Sequence, residues 1–535
     1  MKKNLLLSVL SALLLTFPFV SNMSGFILFI GFLPLFFIEK QFSEQKNNYK
    51  PIVFFNYAYL TFGLWNLFTL WWTANSAWFS VLPPVLLNSF FMAVVFLVFH
   101  IAHRNLPEKF AYSTLVFFWL AFEYLHFNWF LAFPWLTLGN AFSNDLYAIQ
   151  WYEFSGVLGG SFWILLVNVL IFRMIRLWLK FKTPRAFILE SLAFLFLVFA
   201  PILFSQKLKN NYIEEKNPIQ IAIIQPNIDS YTEKYNANLQ ISNFNKNSNL
   251  INKITQPVDF IVAPETTVSR DLEIIWQENY NASQSLAQLR NLLKNKPQAN
   301  MILGINSFKK AKKTQQNLAT VNYDKGLNVY YEAFSSAIQL NLGDKIQAYH
   351  KSKFVLGVEK MPFANLFPWL DNLMVDFGGI VGSLASDTER KILTNSQNSA
   401  KVGVPICYET LFGEFVSEFA KNGASVLFVI TNDGWWGNTP GYRQHAKLSQ
   451  LRAIENRRSV ARAANTGISS FINPLGETIK ASNYDEETLL IGKLNLNTKL
   501  TYYTKNGDFI GRIAAFFAIL FLLYLFVQLK AKKIK

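Results

Sequence analysis

Cysteine is nearly missing: a single thiol, Cys407, in 535 residues has no partner for an intramolecular disulfide and none for a thiolate-rich metal site. Any chemistry at that sulfur is therefore the chemistry of a lone thiol. Charge is scarce too, at 16% Asp, Glu, Lys and Arg, while 52 Phe and 14 Trp exclude a disordered or fibrous chain. A mean hydropathy of +0.19 with 51% apolar residues does not suit a string of soluble domains of about 150 residues each. Part of the chain belongs in lipid.

A membrane-spanning helix needs about 20 apolar residues, and eight runs approach that length: 4–20, 24–38, 52–73, 83–102, 111–130, 157–179, 186–205 and 509–529. The second is short, and the third and fifth carry Asn and Glu. The first has another reading as a signal peptide, because Lys2 and Lys3 precede a short apolar core; the apolar run that follows at once favours a span. Lys and Arg are absent from the connections around 21–23, 74–82 and 131–156. They crowd instead into every second loop and the tail, as Lys2, Lys3, Lys40, Lys46, Lys50, Arg104, Lys109, Arg173, Arg176, Lys180, Lys182, Arg185, Lys530, Lys532, Lys533 and Lys535. Basic residues of short loops stay cytoplasmic. Seven spans then leave residues 206–508 outside the cytoplasmic membrane, and the eighth returns the C-terminus to the cytoplasm beside the N-terminus. The isoelectric point near 9.5 becomes a topology signal, and nucleic-acid binding is not expected.

The expected organisation is a membrane domain over 1–205 with seven helices, an extracytoplasmic domain over 206–508, and a last helix with a basic tail over 509–535. In the middle segment, Asn, Lys, Gln and Asp surround short apolar runs at 219–224, 259–263, 301–305, 334–340, 346–350, 402–406 and 425–430, with helical stretches at 282–294, 411–422 and 443–456. Strands alternating with helices, many apolar on both faces, point to a layered α/β core. No repeat of the solenoid kind is present.

Three motifs stand at strand ends. Glu265 follows an apolar run and a proline in Val262–Thr266; Lys351 ends the run 346–350, with Glu359 eight residues on; Cys407, followed by Tyr408 and Glu409, sits where the run 402–406 meets a helical pattern. Taken singly, each has a plain alternative: a solvated glutamate, a solvated lysine, a buried small hydrophobe. Together they supply the base, the electrostatic stabiliser and the nucleophile of a thiol acyl-transfer site. A thiol at a strand-to-helix junction also lies near backbone N–H groups that favour a thiolate and hold an oxyanion.

In that order, Glu265, Lys351 and Cys407 resemble the catalytic residues of the nitrilase, or carbon–nitrogen hydrolase, superfamily, whose fold is a four-layer αββα sandwich. The elements Asn432-Asp433-Gly434-Trp435-Trp436-Gly437, Gln444-His445, Arg452–Arg458 and Arg462–Gly467 extend the likeness. With its flanking spans, the whole chain resembles the membrane-embedded apolipoprotein N-acyltransferases. Where that family often has a His two residues after the lysine and a Pro-Phe-Gly-Glu run, this chain has Lys353 and Leu356-Gly357-Val358-Glu359.

The resemblance implies a ping-pong reaction in the bacterial inner membrane, with the catalytic domain on the periplasmic side. A fatty acyl chain would pass from a phospholipid, typically phosphatidylethanolamine, through a Cys407 thioester to the α-amine of a diacylglyceryl-cysteine on an apolipoprotein. Glu265 would act as general base, and Lys351 with a backbone N–H near Tyr408 would hold the oxyanion. Glu359 and Glu409 would orient Lys351 and shape the pocket, and Glu359 could share the proton. No metal or organic cofactor is expected, and the working unit is expected to be a monomer. Three apolar features carry two readings each. Segment 361–382 is either an arm at the lipid interface or a loop on the domain's own core. Trp435 and Trp436 either line the substrate entrance or simply pack. The connection 131–156, with Trp135 and Trp151, lies either beneath the catalytic domain or in an interfacial aromatic belt. A membrane-tethered amidase that sends water to the acyl-enzyme has the same catalytic residues. A transporter with an inactive nitrilase-like domain would need charges at mid-membrane, where Glu123 and Glu190 are only scattered candidates.

Overall fold

The computed structural model describes all residues except 181–183, 317, 344, 362–382, 396–397 and 535. Apart from Met361, the apolar segment 361–382 lies outside the described residues. The chain divides into two compact units, Met1–Tyr212 with Asn506–Lys535, and Ile213–Lys505. The expected divisions at 205/206 and 508/509 fall a few residues away because the helix Pro184–Asn211 continues after its apolar run has ended. A change in composition marks where lipid-compatible sequence stops, and the backbone hydrogen bonds of the helix carry on into Lys and Asn.

All eight expected runs fall on helices of the first unit. Among the described residues, six of these helices are long and apolar enough to cross a membrane: Lys2–Val20, Gly25–Glu44, Pro84–Asn105, Tyr152–Leu179, Phe187–Asn211 and Phe509–Lys532. The other two are Pro51–Leu70 and Glu108–Asn128, whose buried Asn66 and Glu123 turn inward to partners. Asn66 Oδ1 accepts from Asn88 Nδ2 at 2.8 Å, and Glu123 Oε1 accepts from Trp119 Nε1 at 3.0 Å and the Leu138 N–H at 2.8 Å. Inside the bundle, Phe32, Phe62, Phe96 and Trp119 meet at ring separations from 5.1 to 6.5 Å. On Pro184–Asn211, by contrast, Ile188, Leu192, Phe196, Phe199 and Leu203 are exposed, a surface that water would penalise and hydrocarbon would not. The protein is a membrane protein. In the connection 131–156, Trp135 lies 5.0 Å from the Trp72 ring and Trp151 lies 5.7 Å from Trp163, so both indoles pack within this unit.

The second unit contains strands β1 (Pro218–Gln225), β2 (Phe260–Val262), β3 (Ile275–Trp276), β4 (Asn300–Lys310), β5 (Val321–Asp324), β6 (Val329–Leu340), β7 (Gln347–His350), β8 (Leu393–Thr394), β9 (Lys401–Gly403), β10 (Val426–Thr431), β11 (Val460–Ala464), β12 (Ser470–Ile472), β13 (Thr478–Ala481) and β14 (Thr488–Asn495). One sheet runs β14-β1-β2-β4-β6-β5, with β3 beside β4 and β7 beside β6; the other runs β13-β12-β11-β10-β9-β8. The two face each other, with Phe260 of β2 5.2 Å from Phe428 of β10. On the outer face of the first sheet, helices Gln240–Asn252 and Gln284–Leu293 contribute Phe244, Leu250, Leu286 and Leu289 to a core with Ile261, Met301 and Leu303. Helices Gly413–Lys421 and Pro440–Asn456 pack together, and the longer one covers β11 and β12. The result is an αββα sandwich. Its central strands, such as the fully buried β10, are continuous apolar runs because both faces are covered.

The run 402–406 is strand only to Gly403; beyond it Ile406 makes an isolated bridge to Ile430, and the chain turns at Cys407. Helix Gln240–Asn252 and strands β11 and β14 are elements that hydropathy alone does not single out.

Candidate active site

Glu265 stands in the turn that leaves β2, and this turn is pressed onto β4. Thr267 N donates to Gly304 O at 2.7 Å, and Gly304 N donates to Pro264 O at 3.1 Å. A Cβ on Gly304 would come within 2.7 Å of Glu265 Cα, so only glycine lets the strand approach this closely. Thr266 accordingly takes a left-handed φ of 58°.

Lys351 leaves β7 with its N–H on Ser335 O at 2.8 Å. Its buried Nζ donates to Glu265 Oε1 at 3.0 Å and to Glu359 Oε1 at 2.6 Å. Burial alone would depress this lysine, but the carboxylates of Glu265 and Glu359 hold it well above the ordinary value, so it is a permanent ammonium. The second oxygen of Glu359 accepts from Val355 N at 2.8 Å, which fixes the loop Leu356-Gly357-Val358. Burial pushes Glu359 above the usual carboxylate range against the pull of Lys351. Lys353, standing where the resemblance leads one to expect His, puts its Nζ 4.7 Å from the Phe412 ring centre, a cation–π contact.

Cys407 turns the chain out of the second sheet with φ 47°, a conformation costly for a residue with a side chain and characteristic of strained functional positions. Its carbonyl oxygen is held by Thr410 Oγ1 at 2.8 Å and His445 Nε2 at 3.1 Å. Behind the imidazole, His445 Nδ1 lies 2.9 Å from Asp433 Oδ1, and Arg462 Nη2 donates to Asp433 Oδ2 at 2.7 Å. Asp433 is held below the ordinary carboxylate range: burial opposes its charge, but Arg462 and His445 outweigh it. Glu409 ties the turn to the lysine loop. Its Oε2 accepts from Ile406 N at 2.8 Å, while Oε1 accepts from the Tyr349 hydroxyl and Ser352 N, each at 2.7 Å. Burial raises Glu409 to about 7.

The thiol itself is pushed up to about 12, first by burial and then by the Glu265 carboxylate, with Lys351 pulling the other way. At neutral pH it rests protonated, so its use as a nucleophile requires a base to remove the proton as the bond forms. Glu265 is the carboxylate whose charge acts most on it. Tyr408 is buried, with its ring 5.5 Å from Phe412. Trp435 stacks 6.0 Å from Tyr235, and Trp436 meets His445 edge-on at 5.4 Å; both indoles are half-buried.

The structure thus brings Glu265, Lys351 and Glu359 into one ion cluster whose field reaches Cys407, with Glu409 bracing the turn and Trp435 and Trp436 on the neighbouring loop. One residue that sequence reasoning missed is Lys234. Its buried ammonium feels the charges of Glu265, Cys407 and Lys351. Nothing in the polar connection 226–239 marks it, because a lysine there reads as solvated, and its neighbour Asn432, with the amide oriented to accept from Lys234 Nζ at 3.0 Å, is more than a hundred residues away. Among the described residues, no group of three His, Cys, Asp or Glu is arranged to hold a metal ion.

The carbon–nitrogen hydrolase family model matches residues 220–500, and the model of the apolipoprotein N-acyltransferase N-terminal domain matches residues 11–170. Curated relatives include the apolipoprotein N-acyltransferase of Chlorobaculum tepidum, 27% identical over 88% of this chain and 87% of that one. That of Geobacter metallireducens is 27% identical over 95% and 92%, and apolipoprotein N-acyltransferase 1 of Treponema denticola is 26% identical over 98% and 96%. Among solved structures, Saccharomyces cerevisiae Nit3, a member of branch 10 of the nitrilase superfamily, matches 52% of this chain and 90% of its own, at 16% identity and a TM-score of 0.36.

Proposed function

This chain belongs to the carbon–nitrogen hydrolase family, and on that premise we propose that it is an apolipoprotein N-acyltransferase, moving a fatty acyl chain from a membrane phospholipid to the N-terminal α-amine of a diacylglyceryl-cysteine. The observation that carries the reading is the thiol, ammonium and carboxylate cluster in a chain that also builds a bundle of lipid-compatible helices. Relatives of that name, similar along nearly the full length, support it.

In the first half-reaction Glu265 takes the proton of Cys407 as sulfur attacks the ester carbonyl carbon of the phospholipid. The tetrahedral oxyanion is stabilised by Lys351 and a backbone N–H near Tyr408. Collapse breaks the bond to the glycerol oxygen, which takes the proton back from Glu265 and departs as lysophospholipid, leaving a thioester. In the second, the acceptor amine attacks the thioester carbon and gives its proton to Glu265. Collapse breaks the C–S bond, and the amide leaves as Cys407 regains a proton. Glu359 and Glu409 hold Lys351 and the nucleophile turn in register. The donor is phosphatidylethanolamine, the catalytic unit lies on the periplasmic side of the inner membrane, both termini are cytoplasmic, and one copy suffices. Trp435 and Trp436 border the substrate entrance.

The test is mass spectrometry of full-length protein in detergent with phosphatidylethanolamine and a diacylated lipopeptide. Triacylated peptide with lysophospholipid is expected. Free fatty acid or ammonia without triacylated peptide overturns transfer in favour of hydrolysis.

A further inference from the structure

Asp433, His445 and Arg462 stand in three of the sequence elements that extend the likeness, yet no acyl-transfer step uses them. Asp433 follows β10, Arg462 lies on β11 and His445 on the helix Pro440–Asn456, and all three side chains are buried. They meet in one cluster. His445 Nδ1 lies 2.9 Å from Asp433 Oδ1 and 3.1 Å from Arg462 Nη2. Arg462 Nη2 donates to Asp433 Oδ2 at 2.7 Å, and its Nη1 donates to Ile468 O at 2.6 Å. The Trp436 ring closes edge-on against the imidazole at 5.4 Å. Clamped in this way, the imidazole has one orientation, and it presents Nε2 to the nucleophile turn.

What Nε2 meets there is the main chain of Cys407. It lies 3.1 Å from Cys407 O and 2.8 Å from Thr410 Oγ1, while Thr410 Oγ1 donates to the same carbonyl at 2.8 Å. With the Thr410 hydrogen spent on the carbonyl, both oxygens facing Nε2 are acceptors, so Nε2 is the donor. The peptide plane gives this anchor its consequence. Cys407 C=O and Tyr408 N–H belong to one planar trans unit and point in opposite directions, so fixing the carbonyl aims the N–H. Cys407 has a φ of 47°, a conformation that persists only where the surroundings hold it. Two donors on one carbonyl oxygen supply that hold, and by polarising the peptide they strengthen the N–H at its other end.

We propose that His445 and Thr410 are positioning residues for acyl transfer: by anchoring the Cys407 carbonyl they aim the Tyr408 N–H at the oxyanion that forms when sulfur attacks an acyl carbon. Asp433 and Arg462 act one step further out, by holding the imidazole. This rests on the acyl-transfer reading, in which a backbone N–H at this turn shares the oxyanion with Lys351.

Two reactions of the same sulfur separate the aim of the N–H from the integrity of the turn. Acylation, by phosphatidylethanolamine and separately by p-nitrophenyl butyrate, passes through an oxyanion. Alkylation by iodoethane displaces iodide from a saturated carbon and passes through none. Both are followed at one fixed pH in full-length protein in detergent, by mass spectrometry of the Cys407 peptide. A change in thiolate availability enters both rates and cancels in their ratio. In His445→Leu, acylation should fall about 10- to 100-fold, as for loss or about 1 Å misplacement of an oxyanion donor, with alkylation within about twofold of wild type. His445→Gln, whose amide N–H reaches toward the same carbonyl, should recover most of the acylation. Equal losses in both reactions overturn the proposal, because the cluster is then only a scaffold for the turn; undiminished acylation overturns it as well. Should His445→Leu not fold, Thr410→Val, of nearly the same shape without the hydroxyl, should show the split at about three- to tenfold, and Thr410→Ser should restore it; unsplit rates overturn the proposal. Wild type acylated by the p-nitrophenyl ester and not by the phospholipid contradicts the lipid donor, while the variant ratios on the ester still decide the role of His445. Wild type acylated by neither removes the acyl-transfer reading and this proposal together.

Discussion

In the membrane unit, buried charge is spread thin: Glu39 lies between the Nδ1 atoms of His100 and His103, both at 2.8 Å, and Glu123 accepts from an indole and a backbone N–H. In the catalytic unit, buried charges converge: Lys351 Nζ lies within 3.0 Å of both Glu265 and Glu359, and Asp433 pairs with both Arg462 and His445. The outer surfaces differ as well. Apolar side chains of Pro184–Asn211 point outward, while those of β10 are wholly inside. Scattered polar groups are compatible with a bundle that faces hydrocarbon, whereas clustered ionisable groups perturb one another and are available for chemistry.

If that contrast is right, substitutions in the cluster should always remove activity, with or without stability, and those in the bundle should cost stability alone. The largest effect belongs to Cys407→Ala: transfer drops by about four orders of magnitude or more, with an unchanged melting temperature. Lys351→Met should cost both, since it leaves Glu265 and Glu359 facing each other unpaired; about 3–5 kcal/mol of stability, read by chemical denaturation in detergent, accompanies loss of thioester formation. Glu409→Ala strands four donors, Ile406 N, Tyr349 Oη, Ser352 N and Lys353 N, and should destabilise by about 1–3 kcal/mol while slowing acylation, and Glu409→Gln, which keeps an acceptor, should recover most of both. In the bundle, Glu39→Leu should lower the melting temperature by an amount equivalent to about 1–2 kcal/mol with the turnover of folded enzyme intact; a fall in turnover at unchanged stability would break the comparison.

A smaller effect concerns pH. The folded Cys407 holds its proton up to about 12, against an ordinary thiol value of 9.0, so its contribution to stability is complete below pH 9 and is lost as pH rises towards 12. Wild type should therefore lose stability relative to Cys407→Ala across that interval. Parallel curves for the two proteins would contradict the assigned environment of the thiol.

Much of this was legible in the sequence because strand ends write local signals. Glu265, Lys351 and Cys407 each follow a strand-like run; those before Glu265 and Cys407 are buried on both faces and hydropathy marks them, whereas β7 before Lys351 is only half-buried. Helix Gln240–Asn252 escaped because its Asn-rich sequence has weak helix propensity and is held by packing of Phe244 and Leu250. Strand β11 escaped because Arg462 interrupts its apolar pattern, an arginine buried through its pairing with Asp433. Lys234 was invisible for the same kind of reason: a lysine in a polar connection reads as solvated until the fold brings Asn432 to it. The packing of Trp135 on Trp72 is likewise a tertiary fact, and composition alone could not separate it from an interfacial belt.

The central claim is a fatty thioester on one buried sulfur. Full-length protein exposed to phosphatidylethanolamine alone, then digested and mapped by mass spectrometry, should carry one acyl chain on the peptide containing Cys407 and release one lysophospholipid for each. An unmodified Cys407, or an acyl adduct that persists in Cys407→Ala, would contradict it.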